Sequence, residues 1–174
     1  MTNRKSRAEA RNHPIAIWIF LVLFFLCALV ILIESGMDAA SSGSQSDAVS
    51  DPIYDAVGGE AGTGMSFAEF AAFIRKFLGH FSLFALTAIP LMIAITLIDQ
   101  SFTRRALGTL GALVGGFTLA ALSEFIQLLT PGRGPAWRDV GIDFAGFALV
   151  VVLFFIGYWI VYLVRGEKPR KPLI

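Results

Sequence analysis

The chain has 174 residues, of which 56% are hydrophobic and only 16% are charged, and its mean hydropathy is +0.71. Soluble domains usually have about a quarter of charged residues, so this composition indicates an integral membrane protein. The net charge of +1 gives no indication of nucleic-acid binding, and the single cysteine, Cys27, excludes an intrachain disulfide. The length suits one compact unit.

Four apolar segments have the length of about 20 residues that a bilayer crossing needs. They cover residues 15–33, 78–98, 107–129 and 142–164. We therefore predict an all-α fold, a polytopic membrane bundle of four transmembrane helices. The first segment could also be a signal peptide, but its apolar run exceeds the roughly 7–15 residues usual there. An uncleaved anchor is the preferred interpretation.

The basic residues predict how the chain is oriented. Four Lys and Arg residues lie in the tail 1–14, two follow the second segment, and four lie in the tail 165–174. Only four lie on the other side of the predicted bundle. Because basic loops stay in the cytoplasm, we predict that both termini are cytoplasmic and that the protein is a multi-pass protein of the cell membrane.

The stretch 34–66 differs in composition from the rest of the chain. It is rich in Ser, Gly, Asp and Ala and has acidic but no basic residues, which predicts a flexible, acidic, extracytoplasmic loop. Ser66 and Glu69 have the spacing of a capping box, so a helix is expected to begin at Phe67.

Two glycines of the third segment have the spacing of a close helix contact. Gly111 and Gly115 are four residues apart and lie on one helix face, which predicts that a neighbouring helix approaches there. A contact within the molecule is preferred over one between copies, although a homo-oligomer stays open.

Polar side chains interrupt the last three segments near their outer ends. Lys76 and His80 share one helix face, since they are four residues apart. Glu124 lies five residues inside its segment, at a depth of roughly 7–8 Å. Such groups are costly to bury singly, so an ionisable residue inside a span is a functional-site hypothesis. The candidate site consists of Lys76, His80, Glu124, Gln127, Arg133, Asp139 and Asp143.

These side chains are expected to turn towards each other in one layer, where Glu124 and Asp143 neutralise basic groups. The candidate bases are Arg133, Arg138, Lys76 and His80. Arg133 lies in the turn "TPGRGP" and would be held over the cluster, where a guanidinium suits a carboxylate or a phosphate. Arg75 is interpreted as an interfacial residue. A purely structural alternative is that the acids and bases only hold the helices together. No metal site and no cofactor are predicted.

The order of four short motifs resembles the VanZ-like family of small bacterial membrane proteins. They are "RKFLGHF" at 75–81, "EFIQ" at 124–127, "PGR" at 131–133 and "DVGIDFAG" at 139–146. The resemblance covers about residues 67–155, within a predicted core of 67–164. The chain departs from the family pattern at Asp143, where the family usually has an Asn.

The resemblance implies a role in the cell envelope, since the family's namesake is associated with resistance to the glycopeptide teicoplanin. The first hypothesis is therefore a protein that binds or modifies an anionic membrane lipid or a lipid-linked wall precursor. An intramembrane enzyme with His80 and Glu124 as acid and base is the alternative, although no HExxH or GxSxG motif is present. A transporter is the least favoured hypothesis, because four spans are few and no inverted repeat is visible, and only an oligomeric transporter stays open.

Overall fold

The computed structural model of the chain describes residues 14–98, 102–134 and 136–165. All regular structure in these ranges is helical. In chain order the elements are α1 (Pro14–Ser35), α2 (Ala39–Ala56), α3 (Gly59–Thr63), α4 (Phe67–Ile74), a π-helix (Arg75–Phe81), α5 (Ser82–Leu97), α6 (Phe102–Leu128) and α7 (Trp137–Arg165).

Four helical stretches are long and apolar enough to cross a membrane. They are Pro14–Ser35 with 22 residues, Phe67–Leu97 with 31, Thr103–Leu128 with 26 and Trp137–Val164 with 28. At about 1.5 Å per residue, even the shortest is about as long as the hydrocarbon core of a bilayer, roughly 30 Å. The second stretch is continuous because α4, the π-helix and α5 follow one another without a break.

The helix start predicted at Phe67 is confirmed. The Ser66 side chain accepts a hydrogen bond from the Glu69 amide at 3.5 Å, and the Glu69 carboxylate accepts one from the Ser66 amide at 2.9 Å. This capping box satisfies two backbone donors that the first turn would otherwise leave without partners. The apolar segment predicted from residue 78 is therefore only the later part of a longer helical run.

Helix α5 lies at the centre of the packing, where it contacts α1, α6 and α7. The largest fully buried apolar side chains, Phe84, Phe147, Met92 and Val151, come from α5 and α7. The outer faces are apolar as well, with Trp18, Leu110 and Leu153 all more than half exposed. Contiguous exposed apolar surface of this kind suits a lipid environment.

Close helix contacts use other glycines than the sequence predicted. A side chain built on Gly111 or Gly115 would meet nothing within 4 Å, so the contact within the molecule that was predicted there is wrong. On Gly116 it would overlap the ring of Phe147, and on Gly146 it would overlap the backbone carbonyl of Phe81. The spacing of two glycines does not say which face the neighbouring helix takes.

The acidic stretch 34–66 also differs from its prediction, because it is largely helical. Helix α2 begins at the cap Asp38, whose carboxylate accepts from the Ser41 amide at 2.9 Å. It packs on α4, where Ser46 donates to the Ala71 carbonyl at 3.3 Å and Tyr54 stacks against Phe70. These tertiary contacts order a segment whose composition alone predicts a loop.

Candidate functional site

The π-helix carries the basic residues of the second span. In such a helix the backbone bonds run from residue i to i+5, so each turn holds more residues than an α-turn, and such segments are frequent at functional sites. Arg75, Lys76 and His80 of this segment line the wall of one cavity. No residue type in "RKFLGHF" by itself predicts this geometry.

Helix α7 runs parallel to the π-helix and α5 and supplies the acids. Lys76 Nζ lies 2.7 Å from Asp139 Oδ1, and His80 Nδ1 lies 3.3 Å from Asp143 Oδ1. Both pairs are 63 residues apart in the chain, as side-by-side parallel helices require. Because Gly146 allows α7 to touch the backbone at Phe81, the two helices come close enough for both pairs to form.

Asp143 is the most deeply buried charged residue of the site, with a side chain that is 0% exposed. Its Oδ2 accepts a hydrogen bond from Ser123 Oγ of α6 at 3.4 Å. Its Oδ1 faces His80 without hydrogen-bond geometry. Three helical stretches therefore meet at one carboxyl group.

Glu124 lies nearby on α6 but makes no ion pair within the described residues. Its Oε2 accepts a hydrogen bond from the Ala136 amide at 3.1 Å, at the start of α7. Since anions are favourable at helix N-termini, this contact ties α6 to α7. The prediction that Glu124 neutralises a basic side chain is corrected: its partner is backbone.

The turn between α6 and α7 positions Arg133. Gly132 has a φ of 75°, which favours glycine, and the Arg133 amide donates to the Thr130 carbonyl at 3.3 Å. The Thr130 hydroxyl lies 3.4 Å from the Ser35 carbonyl, where α1 ends. A side chain on Gly132 would come within 3.2 Å of Ala39, so the turn rests on the start of α2.

A polar cavity of about 170 Å³ lies between these elements. Six basic or acidic residues line it, namely Arg75, Lys76, His80, Arg133, Asp139 and Asp143. Gln127, and Ala39 and Ser42 of α2, line it as well. We call this space the polar cavity. Four cationic or potentially cationic groups thus face two carboxyl groups.

Two of these cations have no carboxylate partner. The Arg75 and Arg133 side chains form no ion pair with any residue that the structure describes, whereas Lys76 and His80 do. Burial and the neighbouring Arg75 cation lower the pKa of Arg133 below its ordinary value, while the carboxyl groups of Glu34, Glu124 and Asp38 raise it. An arginine stays charged at any physiological pH, so two positive groups stand near each other, and neither is in ion-pair contact with a carboxylate of the described residues.

Buried polar atoms without partners adjoin the same space. Gln127 Nε2 and Glu124 Oε1 have no hydrogen-bond partner within the described part of the chain, and both residues are more than nine-tenths buried. A buried donor or acceptor without a partner costs roughly 1–3 kcal/mol. Gln127 lines the polar cavity, so a bound molecule could accept its free N–H.

The chemistry of this donor set favours an anion over a metal ion. Guanidinium, ammonium and amide N–H groups all donate, and they match the oxygens of a phosphate or carboxylate. Among the described residues, no group of three His, Cys, Asp or Glu side chains is arranged to hold a metal ion.

The structure brings together all but one of the predicted site residues. Lys76, His80, Gln127, Arg133, Asp139 and Asp143 line the polar cavity, whereas Glu124 lies behind its wall. Sequence reasoning missed Arg75 and Ser42, which also line it. Arg75 directly precedes Lys76 and was interpreted as an interfacial residue, and Ser42 lies in a stretch that was predicted to be a loop. Arg138, a possible base by sequence, is exposed outside the cavity.

Comparison of the chain with protein-family models, with curated proteins and with solved structures gives no match.

Proposed function

We propose that this protein is an integral protein of the cell membrane that binds the anionic headgroup of a lipid or lipid-linked envelope precursor in its polar cavity. The cavity lies at the end of the bundle where α1 and α6 finish and α7 begins. By the distribution of Lys and Arg this end faces outwards and both termini are cytoplasmic. The motif resemblance to the VanZ-like family, with its cell-envelope and teicoplanin association, agrees with this placement.

The single observation that carries the proposal is the pair Arg75 and Arg133. Two charged guanidinium groups near each other repel, and that repulsion is relieved when one anion lies between them. A phosphate accepts several charge-assisted hydrogen bonds at once. Of the acids in the cavity wall, Asp139 is paired with Lys76 and Asp143 faces His80. The carboxyl groups of Glu34, Glu124 and Asp38 also act on Arg133, but none of them forms an ion pair with it.

The remaining wall of the polar cavity supports the same ligand. Gln127 offers a free amide donor, and Ser42 of α2 offers a hydroxyl. The Asp139 carboxylate holds the ammonium group of Lys76 in place at 2.7 Å. An anion is therefore met by fixed donors, which reduces the ordering cost of binding.

The test is lipid retention in nanodiscs of phosphatidylcholine doped with phosphatidylglycerol, measured by native mass spectrometry. Arg133→Gln removes one charge-assisted contact, worth about 1.5–3 kcal/mol, and is expected to weaken phosphatidylglycerol retention about ten- to hundredfold. Arg138→Gln is the matched control, since Arg138 is exposed at the same end of the bundle but outside the cavity. Equal retention by both variants would refute the proposal.

A second candidate function is favoured by the contact between His80 and Asp143. The Asp143 carboxyl group lies 3.3 Å from one imidazole nitrogen of His80, and a carboxyl group next to a histidine is a frequent arrangement in acid–base catalysts. His80 lines the polar cavity and is 28% exposed, so its ring is accessible to a bound molecule. On this hypothesis the protein would modify the lipid that it binds, with His80 transferring the proton.

One variant, His80→Gln, distinguishes lipid binding alone from lipid modification. His80→Gln keeps a polar side chain but removes the titrating ring, so binding alone predicts nearly unchanged retention of phosphatidylglycerol. Lipid extracts of cells expressing wild type and His80→Gln would be compared by mass spectrometry. A lipid product that appears only with wild type supports the enzyme, and identical lipid profiles support binding alone.

A further inference from the structure

A larger groove lies beside the polar cavity, between α1 and the run formed by the π-helix and α5. Its volume is about 470 Å³. Much of its wall is apolar, with Val30 and Ile31 from α1, Val49 from α2, and Leu78, Leu83 and Leu86 from the other side. We call it the lateral groove.

The lateral groove opens to the outside of the bundle. Val30 is 48% exposed, Leu78 55% and Leu86 58%. These residues belong to helices long and apolar enough to cross a membrane. In the proposed placement the opening therefore faces the hydrocarbon chains of the surrounding lipid.

The lateral groove and the polar cavity adjoin each other. Arg75, His80, Arg133 and Ser42 line both. The guanidinium groups of Arg75 and Arg133, which form no ion pair with the described residues, thus stand where the two spaces meet. The lateral groove beyond them exposes mainly apolar surface, and Glu34, Gln45 and Ser46 belong to the polar part of its wall. A molecule that fits this shape has an anionic group joined to a hydrocarbon chain.

We infer that the lateral groove holds the hydrocarbon chain of the same molecule whose anionic group binds in the polar cavity, so that the ligand is a phosphate-bearing lipid and not a free anion. This inference rests on the proposed function and adds the ligand's second part. The charge at the junction and the apolar walls beyond it match the two halves of such an amphiphile.

The lateral groove contributes to binding by making room for the hydrocarbon chain of the lipid, not by attracting that chain. A hydrocarbon chain already surrounded by lipid gains little hydrophobic free energy by moving against a protein wall. The headgroup is covalently tied to its chain, however, so it can reach Arg75 and Arg133 only if the chain finds room beside them. Filling the lateral groove should exclude the lipid while leaving the polar cavity accessible to a small soluble phosphate.

Gly79 offers a way to fill the groove without disturbing the fold. It lies in the π-helix and lines the lateral groove but not the polar cavity. A side chain built there meets nothing within 4 Å, and leucine favours helical backbone more than glycine does. Gly115 of α6 is the matched control, because it is equally open and lies outside both spaces.

The experiment compares Gly79→Leu with Gly115→Leu in nanodiscs of phosphatidylcholine and phosphatidylglycerol, after both are shown to be monodisperse and helical. Gly79→Leu is expected to weaken phosphatidylglycerol retention about tenfold, and Gly115→Leu to leave it unchanged. Titration of the same variants in detergent with glycerol 1-phosphate is expected to give the same affinity for both. The comparison of lipid retention decides even when the free phosphate binds weakly.

Three results have distinct meanings. Equal retention of phosphatidylglycerol by the two leucine variants overturns the inference and leaves the headgroup proposal standing. A loss of glycerol 1-phosphate binding that parallels the loss of lipid in Gly79→Leu also overturns it, because the polar cavity itself would then have been disturbed. Failure of the proposed function is seen separately, as unchanged lipid retention in Arg133→Gln.

Discussion

Two acid–base pairs join the same two helices one turn apart, and they differ mainly in depth. Lys76 and Asp139 lie 2.7 Å apart with side chains 33% and 25% exposed, whereas Asp143, 3.3 Å from His80, is 0% exposed. Exposed ion pairs contribute little because water solvates both charges. Removing one partner of a buried pair leaves a group that water cannot reach. The shorter contact should therefore be the weaker one.

The largest effect is expected for the deeper pair. His80→Ala leaves the buried Asp143 carboxyl with Ser123 as its remaining polar contact, and we expect a loss of about 3 kcal/mol in the free energy of unfolding. Lys76→Ala, the matched change at the rim, should cost less than about 1 kcal/mol. Reversible unfolding in detergent micelles measures both. A larger loss for Lys76→Ala would reverse the comparison.

The second largest effect on stability is expected at the contact between Gly146 and the Phe81 backbone, which brings the two helices close enough for both pairs to form. Gly146→Ala adds a methyl group that would overlap the Phe81 backbone carbonyl, and such overpacking typically costs about 1–3 kcal/mol. Gly141→Ala on the same helix meets nothing within 4 Å and should be neutral or slightly stabilising. Unfolding of the two variants under identical conditions decides, and equal stability would mean that α7 does not approach the π-helix this closely.

The rim pair alone should give a small coupling energy. A double-mutant cycle of Lys76→Ala and Asp139→Ala isolates the interaction from other effects of each change. At this exposure we expect about 0.2–1 kcal/mol, decreasing as salt is raised. A coupling well above that range, or one insensitive to salt, would show that the cavity rim is drier than its exposure indicates.

The smallest effect concerns the cap of α2, outside both pairs. Hydrogen bonds from Ser41 lower the pKa of Asp38 below its ordinary value. The cap's contribution is therefore fully present above the ordinary pKa and is lost as the pH falls through the lowered one. Protection of the α2 amides against hydrogen exchange should be greater in the wild type than in Asp38→Asn at neutral pH. The difference should disappear only at acid pH. Asp47→Asn, on the exposed face of α2, is the control.

The four apolar stretches could be predicted because hydropathy over about 20 residues is a local property of the chain. The predicted segments 15–33 and 142–164 lie inside Pro14–Ser35 and Trp137–Val164, since helices continue beyond their most apolar part. The capping box at Ser66 was predictable for the same reason, because its donors and acceptors lie within four residues. How the chain is oriented in the membrane stays a prediction.

The features that could not be predicted depend on contacts between distant residues. The π-helix lies where α7 touches the backbone through Gly146, and nothing local marks it. Glu124 binds the Ala136 amide, not a base, because the turn between α6 and α7 decides which group is within reach. Helix α2 was predicted to be a loop because its sequence is rich in Ser, and only its contacts with α4 explain why it is helical.

The central claim is that Arg75 and Arg133 share one anion, and a double-mutant cycle on lipid binding tests it most directly. Phosphatidylglycerol retention would be measured for wild type, Arg75→Gln, Arg133→Gln and the double variant in the same nanodiscs. If both guanidinium groups contact one phosphate, the two losses are not additive, and the coupling should exceed about 0.5 kcal/mol. Additive losses, or no loss in either single variant, would contradict the account.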